Sequence, residues 1–138
     1  YVISKMVETI EKGMNSFIQS VYYKKLNVKI KETKNAINIL YGQKKLDVIH
    51  LSGAEESIVS LAYKNYLNKL MGLGVIFLDE TDAHLTETNA VRFYDVIGKM
   101  RDSYSQVFVI SHNERAKDKL INEHSAKYFE VDEGGLVA

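Results

Sequence analysis

The first apolar positions of the chain, Ile3, Met6, Val7, Ile10, Met14, Phe17, Ile18 and Val21, recur at spacings of three and four. That period gathers them into one stripe and predicts an amphipathic helix from Ile3 to Val21. The period then shortens to two. Leu26, Val28 and Ile30 alternate with Asn27, Lys29 and Lys31, and Ile37, Ile39 and Tyr41 alternate after a polar break at Thr33 to Asn35. Two antiparallel strands are expected there, with a third short one near Leu46 to Ile49 after a turn at Gly42. A second helix is predicted from Ser52, which can cap it, because Glu55 stands in the capping-box position three residues on. Its apolar face is Ile58, Leu61, Ala62, Tyr66 and Leu70, and Gly72 and Gly74 end it.

The pattern changes again at Val75-Ile76-Phe77-Leu78 and at Val107-Phe108-Val109-Ile110, two continuous apolar runs. Runs of this kind predict strands buried on both faces, as in parallel sheets. A helix is expected between them from about Thr88 to Ser103. After them come a helix from Glu114 to Asn122, a third strand at Lys127 to Val131 and a turn at Glu133-Gly134-Gly135. From Leu73 onward strand and helix alternate, which predicts an α/β fold whose ligands sit beyond the carboxyl ends of a parallel sheet.

Composition narrows this picture. The 138 residues suit one compact domain or one lobe of a larger one. Lysine plus arginine equal aspartate plus glutamate at 18 each, so bulk charge does not favour DNA or an acidic membrane. Lysines 24, 25, 29, 31 and 34 gather near the opening strands and read first as a solvated face. Absence of cysteine excludes disulfides and thiolate metal sites and fits a reducing compartment. No apolar run reaches the roughly 20 residues that span a bilayer, and the first residues lack a signal-peptide pattern. A soluble, cytoplasmic protein is expected.

Three segments carry candidate chemistry. Asp79-Glu80 closes the first apolar run, and a nucleotide hydrolase needs two carboxylates at a strand end, one near magnesium and one near the attacking water. His112 follows the second run, so neighbouring parallel strands would bring it beside them, where an imidazole can donate to a phosphate oxygen. Leu51-Ser52-Gly53-Ala54-Glu55 opens a helix whose free N–H groups can meet an anion. Taken singly, each has a plainer explanation: a solvated loop start, a surface histidine and an ordinary capped helix.

In order and together, LSGAE, VIFLDE and VFVISHN resemble the signature, Walker B and switch-histidine motifs of the ABC ATPase family. Within the family the chain is similar to the SMC and SbcC-like branch, which carries glutamate, here Glu55, where transporters carry glutamine. Thr81 to Thr86 resembles the D-loop pattern D-A-x-L-D, and OLD-type nuclease ATPases share a D-A-H-L-like stretch.

The resemblance implies the C-terminal lobe of a P-loop NTPase: a largely parallel sheet with flanking helices, preceded by a helix and a small antiparallel meander. Residues 1–23 would form the helix from a coiled-coil base and residues 24–50 the antiparallel strands. Residues 51–138 would hold the signature, Walker B, D-loop and switch-histidine region.

It further implies that ATP and Mg2+ are the cofactors, with Asp79 at the metal and Glu80 and His112 catalytic. Ser52, Gly53, Ala54 and Glu55 would act in trans, and Asp82 and Ala83 would belong to the D-loop. Ala54 stands where the family has a second glycine, and Thr86 where it has aspartate.

The chain contains no G-x-x-x-x-G-K followed by serine or threonine. The resemblance therefore implies a separate N-terminal lobe carrying that loop, a fragment of a longer protein, and negligible hydrolysis by these residues alone. It also implies an ATP-dependent homodimer, DNA as a partner, a nuclease subunit at the coiled-coil base, and no membrane. The competing readings are an OLD-type or transporter ATPase lobe and a non-hydrolysing interaction module.

Overall fold

The computed structural model describes residues 2–22, 26–32, 37–41, 46–47, 51–132 and 135–137. Helix α1 (Val2–Val21) leads into strands β1 (Val28–Glu32), β2 (Ile37–Tyr41) and β3 (Leu46–Asp47). These pair antiparallel in the order β1-β2-β3. The expected turns at Thr33 to Asn35 and Gly42, the strand residues Val48 and Ile49, and Lys24, Lys25 and Lys34 lie outside the described residues.

Two polar side chains of α1 dock the first strand. The Asn15 amide donates to the Val28 carbonyl at 2.9 Å and accepts from its N–H at 2.8 Å, as a neighbouring strand would. Glu11 accepts from the Ile30 N–H at 2.9 Å and from the Lys29 ammonium at 3.0 Å. An otherwise open strand edge is thereby satisfied by the helix beside it.

Helix α2 (Gly53–Leu70) starts at Ser52 with the expected capping box, and its buried residues are Ile58, Val59, Leu61, Ala62 and Asn65. It crosses α1 at Gly13, where the tip of the Tyr66 ring occupies the space a β-carbon would take. Leu70, placed on the apolar face by its spacing, lies exposed at the end of the helix. Gly72, at φ +66°, turns the chain out.

Strands β4 (Val75–Asp79) and β5 (Gln106–Ile110) run parallel with Asp79 opposite Ile110. Helix α3 (Glu87–Met100) connects them, and α4 (Glu114–His124) follows β5. Ile76 and Leu78 point into the core with Phe93, Tyr94 and Ile97 of α3.

Two expectations are corrected. The apolar runs are not buried on both faces: Phe77 is 64% exposed, Phe108 44% and Ile110 54%. Phe77 and Phe108 stack face to face with ring centroids 4.7 Å apart. Nothing within the described residues covers this side of the sheet. Nor does the segment at Lys127 to Val131 join the parallel sheet. Strand β6 (Glu130–Asp132) pairs antiparallel with β7 (Gly135–Val137), because a local partner follows at once in the chain.

Candidate functional site

The carboxyl ends of β4 and β5 lie side by side, and the candidate groups follow from that register. The Glu80 N–H donates to the Ile110 carbonyl at 2.9 Å, extending the ladder by one step. The backbone there turns to φ +44°, a left-handed conformation that non-glycine residues seldom adopt. This swings the Glu80 carboxylate toward the next strand end, where its Oε1 lies 2.9 Å from His112 Nε2. Both side chains are open to solvent, at 55% and 88% exposure. The sequence expectation that they share one rim holds.

Asp79 stands beside them, exposed at the last position of β4, its carboxylate without a hydrogen bond among the described residues. A free carboxylate at a strand end is a hard oxygen donor suited to Mg2+. A second group, Asp95, Glu123 and His124, has ligand atoms within 4.8 Å of one another. A cation already sits there: the Lys119 ammonium lies 3.0 Å from Asp95 and 2.8 Å from Glu123 and offsets part of their charge.

The turn after Glu80 is tight. Ala83 N–H donates to the Glu80 carbonyl at 3.2 Å and Leu85 N–H to the Asp82 carbonyl at 3.0 Å. Asp82 itself points inward. Its Oδ2 accepts from the Tyr94 hydroxyl and from Ser111 Oγ, the latter at 2.7 Å. Burial, and then the hydrogen bond to Asp82, push the Tyr94 phenol well above its ordinary range. Ala83 and His84 stay exposed at the surface of the turn.

Ser52 and Gly53 reach the same neighbourhood through this turn. A β-carbon on Gly53 would meet His84 at 3.0 Å, so glycine allows the start of α2 to lie against the loop. Ser52 Oγ donates to Glu55 Oε2 at 2.9 Å, and the same carboxylate oxygen accepts from the Ser52 N–H at 3.0 Å. The Tyr22 hydroxyl reaches Glu55 Oε1 at 3.4 Å, tying the end of α1 to the cap. Ala54 is half-buried in the first turn of α2. Thr86 is the N-cap of α3 but makes no side-chain cap bond.

Tyr94 and Ser111 carried no role in the sequence reading. A tyrosine inside the apolar stripe of a helix needs an acceptor when buried, which is the one signal that could have found it.

No family model matches the chain. The DNA double-strand break repair Rad50 ATPase of Thermococcus kodakarensis is 30% identical over 98 residues, 70% of this chain and 11% of that protein. The chain thus spans about a ninth of the length of this relative. One solved structure, from work on ATP-driven dimerization and DNA-stimulated activation of SMC ATPases, superposes with a TM-score of 0.75. It has 17% identity and covers 99% of this chain and 85% of the other. The Smc head domain of Pyrococcus yayanosii, with a coiled coil and joint, gives a TM-score of 0.71 at 20% identity. That likeness covers 85% of this chain and 24% of the other. The chain is thus similar in sequence to Rad50 ATPases over 70% of its length, and in fold to the ABC-type ATPase heads of SMC proteins.

Proposed function

We propose that the chain is the C-terminal half of an SMC/SbcC-like ATPase, which binds and hydrolyses ATP between two heads to drive DNA repair, recombination or chromosome organisation. The carrying observation is the Glu80–His112 contact at 2.9 Å on the rim beside Asp79. Glu80 orients the attacking water and accepts its proton, and His112 donates to the γ-phosphate. Asp79 holds Mg2+, which offsets phosphate charge when bound.

Because Glu80 Oε1 faces His112, Oε2 is the oxygen free to meet water. Ser52, Gly53, Ala54 and Glu55 face the nucleotide of a second head, with the Glu55 carboxylate holding the Ser52 hydroxyl. Asp82 and Ala83 belong to the loop that meets that head, Ala83 outward and Asp82 inward.

The N-terminal lobe with the phosphate loop is the partner that completes the site. The open Phe77, Phe108 and Ile110 face is apolar enough to receive it. A nuclease subunit at the coiled-coil base, DNA contact and nucleoid association follow from kinship with Rad50-type proteins. Lys29 is engaged by Glu11 and offers little to DNA. No helix among the described residues is long and apolar enough to cross a membrane.

The test mixes the chain with its phosphate-loop lobe and follows ATP hydrolysis with and without duplex DNA. Expected are negligible turnover by the chain alone, Mg2+-dependent turnover by the mixture, and stimulation by DNA. Robust turnover by the chain alone, or none by an assembled mixture, contradicts the reading.

A further inference from the structure

Asp82 is a buried acidic side chain, at 7% exposure. A carboxylate is costly to bury unless its oxygens are hydrogen-bonded. Its two donors come from different elements, Tyr94 in the middle of α3 and Ser111 on the loop after β5. Ser111 Oγ in turn accepts from the Asn113 N–H at 3.0 Å. The residues on both sides of His112 are therefore held, and what holds them is anchored to the turn that carries Glu80.

Glu80 is fixed just as closely by backbone bonds to Ile110 and Ala83. By contrast, the Glu80–His112 contact lies in solvent, where an ion pair is too weak to impose its own geometry.

We propose that Asp82 is a positioning residue: by anchoring Ser111 to the turn after β4, it sets the spacing between Glu80 and His112. The geometric part stands on the structure alone, and its consequence for turnover rests on the proposed ATPase reading. Asp82 acts from beneath the rim and touches neither nucleotide nor metal. Tyr94 keeps the carboxylate from turning outward.

The first experiment reads the geometry in the chain itself by NMR. Glu80→Gln is introduced, and the resulting change in the His112 imidazole nitrogen shifts is measured in wild-type, Asp82→Asn and Ser111→Ala backgrounds. The change is expected to shrink to about half or less in both backgrounds, as for coupled neighbours, and to return in Ser111→Thr, which keeps the hydroxyl. Tyr104→Phe is the control. It deletes a buried tyrosine contact to Asn65 near the opposite end of the β4–β5 pair and should leave the shift change intact.

The second experiment uses the two-lobe assembly. Ser111→Ala and Asp82→Asn are expected to lower kcat about ten-fold with KM for ATP nearly unchanged. An undiminished Glu80-dependent shift in folded Ser111→Ala overturns the proposal, as does a kcat loss no larger than that of Tyr104→Phe. If the wild-type assembly fails to hydrolyse ATP, the ATPase reading fails and the NMR comparison still decides the role of Asp82.

Discussion

At the scale of single residues, the Tyr94–Asp82 bond ties stability to pH. The folded state keeps the phenol neutral through burial and through its bond to Asp82. Its contribution is intact below the ordinary phenol value of 10.0 and is lost as pH rises above it. There the unfolded chain releases a proton that the folded chain retains. Urea unfolding between about pH 8 and about pH 11 should show falling stability, and Tyr94→Phe should flatten much of that fall. Tyr104, also raised by burial, supplies part of what remains. An unchanged slope in Tyr94→Phe contradicts the assignment. The placement of Asp79, Glu80 and His112 at one sheet edge was legible in the sequence because each follows an apolar run. Ser111 and Tyr94 were not, because their roles arise from contacts between elements far apart in the chain.

At the scale of elements, the helices were the most legible part, since α1, α2 and α3 each bury a stripe of period 3.6 against a neighbour. The crossing of α1 and α2 depends on Gly13, whose missing side chain admits the Tyr66 ring. Gly13→Ala should destabilise the chain by up to about 3 kcal/mol: the displaced ring loses about 1–3 kcal/mol, and alanine returns up to about 1 kcal/mol of helix propensity. In a Tyr66→Ala background the sign should reverse, because only the propensity gain remains. Denaturant midpoints of the four variants check this, and destabilisation of equal size in both backgrounds contradicts it. Strand context was less legible. A continuous apolar run reports that both faces are meant to be covered, but not which polypeptide supplies the cover. Of the β6 and β7 hairpin, a strand near β6 and a turn after it were expected, while the second strand, Gly135–Val137, was missed because three residues are too few to show a period.

At the scale of the whole molecule, the core of α1, α2, α3 and one sheet face is complete, while the other face ends in the stacked Phe77–Phe108 pair. Phe77→Ser should therefore change the chain's own stability by no more than about 1 kcal/mol. The same substitution should weaken association with the phosphate-loop lobe about ten-fold or more, as expected of a central aromatic anchor. Calorimetric titration beside urea unfolding separates the two effects, and a variant that unfolds but binds normally goes against this division of roles. In the proposed function Glu80, His112 and Asp79 meet one γ-phosphate. Its most direct measurement is single-turnover ATP hydrolysis by the two-lobe assembly carrying Glu80→Gln. The account predicts that ATP is still bound and the heads still dimerise while cleavage falls by about a hundred-fold or more. Cleavage at the wild-type rate would contradict it.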